Sequence, residues 1–254
     1  MSAIRATSLG YRAGRVTILE GIDLDVEHGE LVAVIGPYGA GKSSLLSLLA
    51  GDVPPASGVV EISGVDITDL DDGALSRRRS MLGQRRATEV PFTVREVVAM
   101  GRHPRRRDPE NSATRDAAAV AAALRATDTA ALADRVFATL SGGEQARTSL
   151  ARVFAQQAAV MLLDEPTSAL DVAHEEQIMG ELAAAAVAGT AIVAVLHDLN
   201  VAARHATRIM VVSAGRVVAD GAPGAVLTDE LLTEVYGQAM RVVPHPFRDC
   251  PLVL

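Results

Sequence analysis

A chain of 254 residues with 49% hydrophobic content can bury a substantial core, as one domain or as two lobes. A formal charge of −7 argues against a general nucleic-acid binder, and a single cysteine excludes an internal disulfide and fits a reducing compartment. With no visible secretory signal and no apolar run of bilayer length, a cytosolic protein that docks on a membrane component is expected.

Short β-like runs dominate up to residue 35, at 16–19, 22–26 and 31–35, and Gly10, Gly14, Gly21 and Gly29 are expected as turns between them. Tyr11 is placed on the turn after the first run. It reads either as a surface aromatic or as a platform for a stacked adenine. Leu31-Val32-Ala33-Val34-Ile35 is a continuous apolar run, as in a strand buried on both faces.

Gly36-Pro37-Tyr38-Gly39-Ala40-Gly41-Lys42-Ser43 follows and fits the phosphate-loop spacing Gly-x-x-x-x-Gly-Lys-Ser/Thr. Ser44 opens a helical pattern that runs to Ala50 and stops at Gly51. The strand before and the helix after are the context this loop needs. Glycines let backbone N–H groups curl around phosphate oxygens, and the helix turns its positive end toward the anion. Lys42 is expected on the β- and γ-phosphates of ATP, and the Ser43 hydroxyl on Mg²⁺. Lys42 is the only lysine in the chain.

A strand at 58–62 leads through a polar segment at 69–79 to the short apolar run ending at Gln84. From 85 to about 152 the pattern becomes helical and Ala-rich, as a lobe inserted into an α/β core. Residues 93–100 read as one helix with Thr93 and Glu96 forming a capping box, and 113–126 read as another. The run Arg102-His103-Pro104-Arg105-Arg106-Arg107 reads as a solvated face or loop.

Leu140-Ser141-Gly142-Gly143-Glu144-Gln145 places a serine and two glycines ahead of a helix at 144–156, a second anion cradle. One chain cannot easily fold both cradles onto one nucleotide, whereas two copies could exchange them. Val160-Met161-Leu162-Leu163 is a buried strand ending in Asp164-Glu165, where open α/β sheets bind ligands. Asp164 is expected to hold Mg²⁺ and Glu165 to act as general base or to orient the attacking water. Asp171 is the expected N-cap of a helix from 172 to 188. A further buried strand at 190–196 ends at His197, a candidate γ-phosphate sensor. Strands at 208–213 and 216–219 meet in a hairpin at Ala214-Gly215, and a short helix lies beyond Leu227.

These motifs, in this order and spacing, resemble the ATP-binding subunit of an ABC transporter over nearly the whole chain. The resemblance implies a phosphate-loop core, a mixed sheet flanked by helices, at 1–84 and 153–254. It adds an antiparallel β subdomain and a helical subdomain at 85–152. It implies that Tyr11 stacks on adenine and that Gln84 is a further Mg²⁺ ligand linking the site to the helical lobe. Ser141 and Gly143 would touch the γ-phosphate held by the opposite subunit, and Asp171 is counted among the nucleotide-site residues. Tyr38 departs from the family pattern, which usually has Asn there.

The resemblance further implies a homodimer of ATPase subunits at the cytoplasmic face of the membrane. Two permease subunits would be contacted through residues 84–104, from Gln84 to Pro104, with a substrate-binding protein acting indirectly and no nucleic acid. The segment from Thr93 to Pro104 resembles that of importers of iron chelates, vitamin B12 and haem, although Arg105 stands where those commonly continue with His. The tail Val242-Val243-Pro244-His245-Pro246 is closest to the haem branch. Haem import is therefore expected, with siderophore or B12 import as the alternative and a soluble ABC ATPase more distant. Cys250-Pro251 invites a haem-thiolate reading, but a lone Cys near a terminus is more often inert.

Overall fold

The structure, a computed structural model, describes residues 2–83, 91–106, 108 and 111–254. Its central feature is a six-stranded sheet of order β10-β9-β3-β8-β7-β6. The strands are β3 (Leu31–Ile35), β6 (Arg79–Leu82), β7 (Val160–Asp164), β8 (Ala191–Val195), β9 (Arg208–Ser213) and β10 (Arg216–Gly221). All pairings are parallel except β9–β10. The latter is the expected hairpin, with Ala214 and Gly215 both at positive φ.

A four-stranded antiparallel sheet of order β2-β1-β4-β5 joins β1 (Ser2–Ala13), β2 (Val16–Glu27), β4 (Ser57–Ile62) and β5 (Val65–Asp66). A small hairpin, β11 (Val242–Pro244) with β12 (Pro251–Val253), lies in the tail. The helices are α1 (Lys42–Ala50), α2 (Asp72–Arg78), α3 (Val94–Ala99), α4 (Ala113–Ala126), α5 (Gly142–Gln156), α6 (Val172–Val187), α7 (Leu199–His205), α8 (Pro223–Val226) and α9 (Asp229–Tyr236).

The continuous apolar reading of β3 has a simple cause. Val32 and Val34 enter a core shared with α1 leucines and the antiparallel sheet. Leu31, Ala33 and Ile35 enter a second core with Ile178 and Leu182 of α6 and Leu232 of α9. Side chains alternate faces, and here both faces are covered. A third core gathers Val94 and Val98 of α3, Leu124 of α4 and Ala151 and Ala155 of α5. Helix α5 also sends Leu150 and Val153 into the second core, so it ties the helical region to the sheet.

Three expectations are corrected. Gly10 and Gly21 are not turns but lie within β1 and β2, where Gly21 and Ser8 take positive φ and the β1–β2 register shifts between Ala6 and Leu9. Bulged strands need such conformations, and a sequence scan reads them as breaks. Tyr11 likewise lies inside β1, opposite Leu19. The basic run is not wholly a solvated face: Arg102 is buried, donates to Ala155 O and Gln157 Oε1, and pairs with Asp116 Oδ1 at 2.7 Å. Arg107 of that run lies outside the described residues.

Candidate functional site

Parallel order places the C-terminal ends of β3, β8 and β7 side by side, with Asp164 in register with Val195. The loop after β3 needs its glycines for geometry. Gly36, Gly39 and Gly41 have φ of +143°, +78° and +102°, a region that side-chain-bearing residues rarely occupy. A Cβ on Gly36 would sit 1.9 Å from the Val212 carbonyl oxygen of β9, and one on Gly41 would press on Leu19 of β2. Gly41 leads directly into α1, whose first turn carries no acidic residue to offset its positive end. Ala40 is buried and its N–H closes the turn on Pro37 O at 3.3 Å, while Ser44 is half-buried in the first turn of α1.

Lys42 is buried and its ammonium donates to Gly36 O at 2.6 Å and Pro37 O at 2.8 Å. Burial holds its pKa below the usual lysine value, while Glu165 and Asp164 oppose that shift. Ser43 Oγ donates to Asp164 Oδ1 at 3.2 Å. Burial pushes the Asp164 carboxyl up, with Glu165 adding to the rise and the Ser43 hydrogen bond opposing it. Asp164 and Lys42 thus share one dry cleft in which excess charge of either sign is costly.

Glu165 follows with φ +50°, an uncommon conformation for a residue with a Cβ, and its N–H donates to Val195 O at 3.2 Å. That backbone turn directs its carboxylate to His197, with Nε2 and Oε1 2.5 Å apart. The imidazole also stacks on Tyr38, with centroids 4.8 Å apart and planes 24° apart, and Lys42 Nζ lies 5.9 Å from the Tyr38 centroid. A cleft of ≈ 220 Å³ beside this cluster is lined by Glu165, Ser168, Glu175, His197 and Asp198 among others.

The structure therefore gathers Gly36, Pro37, Tyr38, Gly39, Gly41, Lys42, Ser43, Asp164, Glu165 and His197 at one sheet edge. Tyr11 is a strand away: its cross-strand partner Leu19 is the residue that abuts Gly41. Ser141, Gly142 and Gly143 form the N-terminus of α5. Ser141 makes a capping box with Glu144, accepting the Glu144 N–H and donating its own N–H to Glu144 Oε2. Among the described residues no hydrogen bond or ion pair joins Ser141, Gly142 or Gly143 to residues 36–44. Asp171 caps α6, and the His174 N–H it accepts holds its carboxyl below the usual range. Gln84 lies outside the described residues.

Two supports were not visible in the sequence pattern. Tyr236 of α9 is partly buried against the second core, and burial pushes its phenol up, with the Gly36 backbone opposing that rise. The Tyr38–His197 stack spans residues 159 positions apart, which no local pattern could report. On the helical region, Phe92, Glu96, Ala99, Met100, His103 and Arg106 line an open groove of ≈ 520 Å³.

A phosphate loop between buried strand and helix, faced by strand-end carboxylates, defines a phosphate-loop nucleotide hydrolase. The sequence profile described as ABC transporter matches residues 19–168. The chain is 50% identical over 237 residues to the hemin import ATP-binding protein HmuV of Nocardia farcinica, covering 93% of this chain and 82% of that one. An inward-facing metal-chelate type ABC transporter superposes with a TM-score of 0.83 at 25% identity, covering 100% of this chain and 96% of that one. A dimeric bacterial ABC transporter cassette gives 0.76 at 28% identity, covering 86% of this chain and 98% of that one. The chain belongs to the ABC transporter family, in which it is an ATP-hydrolysing cassette coupled to transport.

Proposed function

We propose that this ATPase energises a membrane importer of haem. The observation that carries this reading is the 50% identity, across nearly the whole chain, to a hemin import ATP-binding protein, together with an intact cluster of Lys42, Ser43, Asp164, Glu165 and His197. Siderophore or vitamin B12 import is the second reading, and the likeness to a metal-chelate type transporter favours it.

ATP lies with its adenine near Tyr11 and its phosphates in the loop of residues 36–44. Lys42 leaves the loop carbonyls to balance charge on the β- and γ-phosphates. Ser43 and Asp164 would hold Mg²⁺, with Gln84, outside the described residues, as a third ligand. A hydroxyl and a carboxylate oxygen 3.2 Å apart suit a hard, oxygen-preferring cation. When bound, Mg²⁺ neutralises charge on the phosphate oxygens. Glu165 orients a water and takes its proton. The water oxygen bonds to the γ-phosphorus, the bond to the bridging oxygen breaks, and that electron pair leaves with ADP. His197 donates to the γ-phosphate as its charge redistributes.

Ser141, Gly142 and Gly143 complete the site of a second copy in a head-to-tail dimer, and Asp171 lies at that seam. Residues 85–152 act as the lobe that transmits closure. Two permease subunits dock on the region from Gln84 to Pro104, where the groove beside Phe92 and Met100 offers an apolar seat. The assembly sits on the cytoplasmic face, and a substrate-binding protein delivers cargo to the permease. No described helix is long and apolar enough to cross a membrane. Reconstitution with the permease tests the reading. Haem-loaded binding protein should raise ATP turnover and a ferric siderophore should not; the reverse result moves the chain to siderophore import.

A further inference from the structure

Tyr38 is the loop residue that phosphate binding explains least. Gly36, Gly39 and Gly41 shape the backbone, and Lys42 and Ser43 supply charge and oxygen. Tyr38 places a large ring on the rim of the loop with 87% of its surface exposed. A ring so open to water has no burial to fix its rotamer. It nevertheless lies nearly parallel to the imidazole of His197, 4.8 Å away.

His197 needs such a neighbour. It follows β8, outside the sheet ladder, and its side chain is 30% exposed. Its edge meets Glu165 through Nε2, and one ring face meets Tyr38. The contacts Tyr38–His197–Glu165 thus bridge the phosphate loop, the end of β8 and the end of β7. Neither of the other two tyrosines stacks on His197: Tyr11 lies within β1, and Tyr236 ends α9 and packs against the second core.

We propose that Tyr38 is a positioning residue for hydrolysis, its ring clamping the His197 imidazole in the orientation that meets Glu165. The inference rests on the ATPase reading above. Because the ring acts through His197 and not on the nucleotide, it governs the chemical step and leaves ATP binding alone. Its hydroxyl is dispensable, because the stack uses the ring face.

The test uses the full-length chain and compares Tyr38→Ala and Tyr38→Phe with wild type. Tyr38→Ala should lower kcat roughly three- to tenfold, the population change expected from losing one aromatic pair, with KM for ATP within about twofold. Tyr38→Phe should restore kcat to within about twofold of wild type. In parallel, the His197 ring protons, identified by their loss in His197→Gln, should be shifted upfield by the ring current in wild type and Tyr38→Phe, and move downfield in Tyr38→Ala. Circular dichroism and melting should be the same in all three, since the ring is exposed.

Equal losses in the Phe and Ala variants would assign the effect to the hydroxyl and overturn the proposal. So would a rise in KM at constant kcat, an unchanged kcat in Tyr38→Ala, or a His197 resonance that does not move. Glu165→Gln separates this outcome from failure of the ATPase reading. If that variant loses turnover while Tyr38→Ala keeps it, only the clamp is wrong; if Glu165→Gln keeps turnover, the assignment of the site itself is wrong.

Discussion

Lys42 and His197 stand at two ends of one cluster and should fail differently. Lys42 is buried with its ammonium on two carbonyl oxygens, and burial already depresses its pKa. Phosphate oxygens are better partners than neutral carbonyls, because the acceptor then carries the opposite charge as well. Lys42→Ala should therefore weaken ATP affinity by roughly ten- to a hundredfold, the scale of one lost charged hydrogen bond. His197 stands just beyond the end of β8 and pairs with Glu165. His197→Ala should lower turnover by about a hundredfold while shifting nucleotide affinity less than about threefold. Nucleotide titration and steady-state turnover on both variants check this, and equal losses of affinity would remove the distinction.

At the scale of elements, the segment after α3 is a clasp on α5. Gly101 lies so close to α5 that a Cβ there would come within 2.1 Å of the Arg152 carbonyl oxygen. Arg102 then reaches the end of the helix, donating to Ala155 O at 2.8 Å and Gln157 Oε1 at 3.0 Å. Arg105 adds a bond to Gln157 O at 2.7 Å. These are carbonyls that a helix C-terminus leaves without intrahelical donors, and cations favour that end. Because α5 carries both the Ser141 cap and residues of two cores, the clasp fixes the signature helix against the sheet. Arg102→Ala would leave the Asp116 carboxylate with Asn111 as its remaining hydrogen-bond donor and would free two acceptors at the helix end. It should destabilise the protein by about 2–4 kcal/mol, whereas Arg106→Ala, at an exposed position, should cost under about 0.5 kcal/mol. Urea unfolding followed by circular dichroism measures both.

At the scale of the whole molecule, the two anion cradles of one chain are not joined. The loop of residues 36–44 meets Asp164, Glu165 and His197, while the N-terminus of α5 faces elsewhere with its N–H groups beyond the capping box free for a ligand. In the proposed head-to-tail dimer, closure of two copies around ATP would satisfy both sets of groups, and hydrolysis would remove the γ-phosphate that links them. Glu165→Gln removes the proton acceptor but keeps Lys42, the glycines and the α5 terminus. It should bind ATP normally, lose nearly all turnover and accumulate as a dimer with ATP. Size-exclusion chromatography with ATP reads the result; a strictly monomeric variant, unrescued by the permease, would contradict the dimer.

By itself the sequence determined every feature whose cause is local. The phosphate-loop spacing, the continuous apolar run of β3, the Thr93 capping box and the helix at Ala113–Ala126 depend on residues a few positions apart, and all were legible, whereas the Ser141–Glu144 capping box was equally local and was read only as an anion cradle. The placement of Lys42, Asp164-Glu165 and His197 at the ends of apolar runs anticipated that they gather at one edge of the sheet. What depends on contact between distant segments was decided only by the tertiary structure. Gly10 and Gly21 read as turns because a bulge looks the same as a break until a partner strand is present. Arg102 read as solvated because a charge run gives no sign that a helix end waits behind it. The stacking of Tyr38 on His197 and the burial of Tyr236 against the second core arise from parallel strand order and the packing of α9. One-dimensional spacing carries periodicity and cap chemistry, but not which strand lies beside which.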